Sequence, residues 1–349
     1  GLGDVYKRQN DCWAIGLGYP ADCIPPDGVP KNIFTIGAMD GANGTALFSD
    51  YGPTDDGRIK PDLMAQGMDV FSPCPRSQWC TEEVGPGDSG YRSLSGTSMA
   101  SPAVAGIGAL ILQDALTNMN SSSAEHFPFR RVWTPMYPEA LKALLVQTAI
   151  DVKDVPWNRS GTGWNRASEV LPDVAHQIPA GPDYATGWGI VDAEAAVILL
   201  RRGGLVQGSI DAIGEADAWV QRFQVQENET EVHMTLAWTD PPSNPAASKT
   251  LVNDLDLELI DPNGTAHTPW RLGGMANPVQ PAIRNGGRDS INNVEQVSVL
   301  SPAAGTWTVR VSASDVDVTT LPQRFAVAGL LPDDPSTIVS PIRLLHRDP

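Results

Sequence analysis

Between residues 31 and 112 short apolar runs alternate with polar turns, a period that predicts strands. The segment KNIFTIGAMD holds one such run at 33–37, and RIKPDLMAQGMDVFS holds two more, around 63–65 and 68–71. The pattern then changes. From 99 to 112 small and apolar residues dominate, and their Ala and Gly content predicts a buried helix that neighbours can approach closely. A second helix is predicted over 138–150, with proline at its start and Leu141, Leu144, Leu145 and Ala149 at helical spacing. A third covers 192–200. The stretches 117–137 and 154–182, rich in Ser, Asn, Gly, Pro and Trp, read as surface excursions between helices. Past 202–204 the period becomes that of strands again, at 219–225, 231–238, 255–260, 294–299, 307–311 and 324–327. Turn formers such as Asp261-Pro262-Asn263-Gly264 and Ala304-Gly305 separate them. With almost no helical pattern in this half, an all-β sandwich or jelly roll is predicted to follow an α/β parallel sheet.

Composition sets limits on this picture. A chain of 349 residues, 41% of them hydrophobic, can bury two cores. Its formal net charge of -17 repels phosphate backbones and anionic lipid, which argues against nucleic acid or membrane as partners. The longest apolar stretch, 103–112, is broken by Gly106 and Gly108 and is about half the length of a membrane span. The opening GLGDVYKRQ has neither a long apolar run nor a small-residue cleavage site, and 1–9 reads as a foreign leader. Domains are expected at 10–203 and 204–331, with 332–349 a Pro-rich linker. Cys12, Cys23, Cys74 and Cys80 lack zinc-site spacing. Two local disulfides, Cys12 to Cys23 and Cys74 to Cys80, are preferred among the three connectivities, with buried free thiols as the alternative. Asn43, Asn120, Asn158, Asn228 and Asn263 each begin an N-x-Ser/Thr triplet, a weak pointer to secretion.

The chemistry concentrates in Ser95-Gly96-Thr97-Ser98-Met99-Ala100-Ser101-Pro102, at the mouth of the first predicted helix. A serine hydroxyl becomes a useful nucleophile when a base takes its proton and donors stabilise the oxyanion. At a helix N-terminus the backbone N–H of Ser98 and the positive end of the helix dipole serve the second need. Gly96 permits the tight turn. Pro102 falls early in the helix, where the hydrogen-bond ladder is only starting. For Gly-Thr-Ser alone, an ordinary Ser/Thr helix cap is the simpler reading.

The eight residues together resemble the serine motif of the subtilisin-like peptidases, the subtilases. That resemblance implies Ser98 as nucleophile of an endopeptidase that hydrolyses proteins through an acyl-enzyme, without a catalytic cofactor. SDYGPTDDGRIKPDLMAQG at 49–67, EALKALLVQTA at 139–149 and YATGWGIVDAEAAV at 184–197 are similar to the family's flanking segments. Asp50 stands where many relatives have Ser, and Gln66 where most have Pro. The resemblance also implies Asn10 as the oxyanion-hole amide donor, by its distance before NIFTIGA, although Arg8-Gln9 departs from the expected residues and an ordinary turn asparagine is the alternative. In the family the triad aspartate and histidine precede the serine. Here the histidines are His126, His176, His233, His267 and His346, all after Ser98. The chain alone is therefore expected to lack its general base and to be inactive.

LAWTDPP at 236–242, LVNDLDLELIDPNG at 251–264, NNVEQV at 292–297 and AGTWTVRV at 304–311 resemble the C-terminal jelly roll of one subtilase branch, related in shape to the P domain of proprotein convertases. Within the second string Leu255, Leu257 and Leu259 share one strand face, and Asp254, Asp256 and Glu258 the other. One reading is a buried apolar face backed by a solvated acidic one. The other is a structural calcium site on Asp254 and Asp256, which the resemblance also implies. Two competing functions are kept beside a secreted peptidase: a degenerate subtilase, and a non-catalytic secreted binding protein that uses Trp219, Trp238 or Trp270, residues a jelly-roll core explains more simply.

Overall fold

The apolar run after Lys31 forms β2 (Phe34–Met39), buried at every position, as a strand covered on both faces requires. It is the middle strand of a three-stranded parallel sheet, with β1 (Val5–Lys7) on one side and β3 (Leu63–Gln66) on the other. This computed structural model describes residues 5–7, 24, 28–40, 44–46, 48–73, 91–120, 136–152, 180–211, 218–244, 247–278 and 280–329. β1 lies within residues 1–9, expected from the sequence to be a foreign leader, and its Val5 pairs with Phe34. The excursions 117–137 and 154–182 and the tail 332–349 lie mostly or wholly outside the described residues.

Helix α1 (Thr97–Asn120) is longer than the predicted 99–112 and packs on β2 and β3. Its buried positions Thr97, Ala100, Ser101, Val104, Gly108 and Ile111 recur at helical spacing. The opposite face is open, with Leu110 63% and Leu116 58% exposed, so the expectation of a buried helix is corrected: among the described residues only one side has a partner. By length and composition alone the segment Thr97–Thr117 could span a bilayer, which also corrects the half-length reading of 103–112.

Helix α2 (Pro138–Gln147) is buried from Glu139 through Gln147. It ends before the predicted residue 150, where the hydroxyl and N–H of Thr148 both donate to the Leu144 carbonyl, at 2.9 and 3.2 Å. Ile150 instead bridges Ile190. Helix α3 (Ala193–Arg201) starts at Asp192, whose Oδ1 accepts the Ala195 N–H at 2.9 Å, an N-cap that satisfies one orphan donor.

From Leu205 the chain builds two four-stranded sheets. One has the order β10 (Ala266–His267), β9 (Asp254–Ile260), β12 (Gly305–Asp315), β7 (Trp219–Val225); the other β11 (Val294–Leu300), β8 (Glu231–Trp238), β13 (Gln323–Gly329), β6 (Leu205–Ile210). Their inner faces share a core containing Phe223, Trp238, Trp307 and Phe325. Trp238 and Trp270 are buried, and Trp219 meets Phe325 edge-on at 5.5 Å, so these tryptophans form no exposed binding platform. Both faces of α2 are used because the outer face of β8 and β13 packs against it: Thr235 Oγ1 donates to Gln147 Oε1 at 2.8 Å and Thr239 Oγ1 to Glu139 Oε2 at 2.7 Å. The contacts continue where Lys31 pairs with Asp240 and the Ile59 N–H donates to Asn292 Oδ1 at 2.8 Å. The sandwich thus docks near the amino ends of β2 and β3.

Candidate functional site: the Ser98 turn and a buried acidic cluster

The carboxyl ends of β2 and β3 lead toward Ser98. After β3 the chain turns at Gly67 into β4 (Val70–Pro73), and β5 (Tyr91–Leu94) returns antiparallel to it, pairing Leu94 with Val70. Two residues later α1 begins. This turn is held from below: the Gly96 N–H donates to the Gly67 carbonyl at 2.7 Å, and the Asp69 N–H to Ser95 Oγ at 2.9 Å. A Cβ on Gly67 would stand 2.5 Å from Ala38 Cβ and 3.0 Å from the Gly96 carbonyl. Only glycine allows the serine turn to sit so close to the end of β2.

Ser98 is the second residue of α1 and is exposed, between buried Thr97 and partly buried Met99. The first turn of the helix carries no acidic residue. The Met99 N–H donates to the Gly96 carbonyl at 3.0 Å, and the positive dipole end favours negative charge at this point. Ligands of open α/β sheets bind beyond the carboxyl ends of the strands, where this hydroxyl stands. Gln66 Nε2 donates to the Met68 carbonyl at 2.7 Å, and Asp50 is buried. Asn10, all four cysteines, His126, His176 and His346 lie outside the described residues. His233 and His267 belong to the sandwich: His233 Nε2 is 3.3 Å from the Gln147 carbonyl, and His267 stacks on Trp307 at 5.4 Å.

The second cluster corrects the idea of a solvated acidic face. Asp254, Asp256 and Glu258 are all buried. Lys249 stands 3.5 Å from Asp254, Arg288 Nη1 is 3.6 Å from Asp256, and Arg310 pairs with Glu258. Two further buried carboxylates join them, Asp289 and Glu295, the latter accepting the Leu257 N–H at 2.7 Å. Burial pushes Asp254 up to about 6, with Asp256 and Asp289 adding repulsion. Burial, then Asp289, Asp256 and Asp254, holds Glu295 well above the usual range. Among the described residues Asp254 Oδ1 and Glu295 Oε1 are buried without a hydrogen-bond partner, and Asp256 has only weak contacts, to Ser314 and to Arg288 at 3.6 Å, a set of hard oxygens of the kind calcium takes. No group of three or more His, Cys, Asp or Glu side chains among the described residues is placed to hold a metal ion. Glu295 was legible only as part of NNVEQV; its contact with β9 depends on the pairing of distant strands.

The profile of the subtilase family matches residues 14–189, just over half of the chain. "Serine protease/ABC transporter B family protein tagB" of Dictyostelium discoideum is 26% identical over 317 residues, covering 81% of this chain and 16% of that protein. "Serine protease AprX" of Bacillus subtilis is 38% identical over 130 residues, covering 31% of this chain and 29% of that protein. The chain thus spans less than a third of either relative. The solved structure of the self-cleaved protease domain of PatA is 23% identical and overlaps 53% of this chain and 47% of its own at a TM-score of 0.31.

Proposed function

Because the chain belongs to the subtilase family, we propose that it carries the nucleophile, Ser98, of a secreted serine endopeptidase whose substrates are proteins and peptides. The observation behind this reading is the exposed hydroxyl in the first turn of α1, beyond the carboxyl ends of β2 and β3, inside the matched segment. In the proposed reaction Ser98 Oγ attacks the scissile carbonyl and forms an acyl-enzyme, which water then hydrolyses. A general base from sequence preceding Asn10 takes the hydroxyl proton, while the α1 amide and the Asn10 side chain stabilise the oxyanion. The catalytic part is assigned to 10–203 and a jelly roll to 204–331. The test has two arms. The coding sequence upstream of Asn10 is expected to hold an aspartate motif and a His-Gly-Thr-like motif. The complete protein is expected to cleave a protein substrate, losing several orders of magnitude in kcat/KM with Ser98→Ala, while residues 1–349 alone turn over nothing useful. Absence of both motifs would instead favour the degenerate or non-catalytic reading.

Calcium is proposed as a structural ion of the sandwich, held by Asp254 and Asp256 with Glu295 beside them; bound there, it would offset the carboxylate repulsion and desolvation that raise these groups. The pH dependence gives a check. A carboxyl whose folded pKa is raised stabilises the fold fully below its unfolded pKa, and that contribution is lost as pH rises through the folded value. In chelator, Tm is expected to fall from about pH 4 through about pH 6, where Asp254 titrates. Calcium should flatten that fall, and Asp254→Asn with Asp256→Asn should remove the calcium effect. Identical Tm curves in calcium and chelator would dispose of the proposal.

A further inference from the structure

The registers of the two sheets give the sandwich two distinct poles. At one, Trp238 and Val294 lead into Asp240, Asn292 and Asn293, which engage Lys31, Asn32 and Ile59 of the α/β part. At the other, Gly305 pairs with Val225 while Leu300 pairs with Glu231. Ile260 ends β9 at the same pole. Two of the chain's N-x-Thr triplets fall on turns of this second pole. Asn228-Glu229-Thr230 joins β7 to β8, and Asn263-Gly264-Thr265 joins β9 to β10.

Both asparagines are exposed. Asn228 adopts φ 69° at the tip of its turn. The second turn is built by Asp261, whose Oδ1 accepts the N–H groups of Asn263 and Thr265 at 2.8 Å each. That leaves Asn263, Gly264 and Thr265 pointing away from the sheet. A Cβ on Gly264 would meet nothing within 4 Å, so the space over the turn is open. Among the described residues no hydrogen bond ties down either side-chain amide. Asn43 and Asn158 lie outside the described residues, and only the backbone of Asn120 is described.

We propose that Asn263 and Asn228 are N-glycosylated, placing carbohydrate on the pole of the sandwich opposite its Asp240 and Asn292 contacts. The inference rests on the proposed secretion but not on the peptidase reading. The donor is a lipid-diphosphate-linked oligosaccharide. The asparagine Nδ2 attacks the anomeric carbon and gives up one proton; the new C–N bond replaces the C–O bond to the lipid diphosphate, which leaves with the bonding electrons. The threonine two residues on is the recognition element. Exposed polar turns of this kind accept such a bulky group without disturbing the core.

The test is to direct residues 1–349 into the secretory pathway of a eukaryotic host and collect both the medium and the lumenal fraction, so that failure to leave the cell does not obscure the modification. Amidase release of N-glycans leaves each modified asparagine as aspartate, read by peptide mass. Conversion at positions 263 and 228, with one glycan fewer in Asn263→Gln and one fewer in Asn228→Gln, is expected. Unmodified peptides spanning both positions in both fractions would overturn the proposal. Either outcome leaves the peptidase reading untouched, because residues 1–349 are expected to be inactive with or without the glycans.

Discussion

Asp62→Asn is expected to cost about 3–5 kcal/mol, the penalty for stranding buried charge, a large fraction of the stability of an ordinary domain. Asp62 is buried beneath β2 with a lysine on each oxygen: Lys142 Nζ is 2.9 Å from Oδ1 and Lys60 Nζ 2.5 Å from Oδ2. The Thr35 N–H also donates to Oδ2, at 2.7 Å. Burial drives Lys60 down to about 7 against the attraction of Asp62. Burial alone would raise Asp62, but Lys142 and Lys60 together hold it below the usual carboxylate range. Without the anion, the Lys142 ammonium and a Lys60 driven further toward its neutral form would be left, among the described residues, with the carbonyls of Lys31 and Ile33 and the Phe34 ring as partners. Urea unfolding reads the loss. Adding Lys142→Met should recover part of it, because one stranded charge is then gone. Asp62→Asn within about 1 kcal/mol of wild type, the range of a surface ion pair, would show that the cluster does not hold these segments together.

The second large effect concerns the turn under the nucleophile. Gly67→Ala should lower kcat/KM of the complete protein by about a hundredfold or more, the scale of a 1 Å misplacement of a reacting group. The new methyl would contact Ala38 Cβ at 2.5 Å and crowd the Gly96 carbonyl at 3.0 Å. Because Gly96 donates to the Gly67 carbonyl, displacing Gly67 moves the residue two before Ser98. Ala38→Gly in the same protein removes one of the two collisions and should restore part of the activity. Full activity in Gly67→Ala alone would mean the serine turn does not depend on this close approach.

Local signals made much of this readable in the sequence. Proline at 138 with leucines at helical spacing located α2, and the helix expected at 192–200 is α3. The alternating leucines of 255–259 located the core face of β9. What escaped depends on partners far along the chain. β5 is short and mostly exposed, so it carries no apolar period, and it is a strand because β4 lies beside it. β6 was hidden in a change of composition and exists by pairing with β13. The polar side of β9 looked solvated because nothing in 254–258 foretells that Arg288, Asp289, Glu295 and Arg310 cover it. Ser98 was legible because eight contiguous residues carry its setting. The turn beneath it rests on the close approach of Gly67 to Ala38, residues far from those eight in the sequence.

Whether Ser98 is the activated hydroxyl is tested most directly by reacting the complete protein with a tagged fluorophosphonate and mapping the modified peptide by mass. The adduct is predicted on Ser98 Oγ, and labelling should vanish in Ser98→Ala. Phosphonylation at another residue, labelling undiminished in Ser98→Ala, or no labelling of the intact protein would contradict a nucleophile at the head of α1.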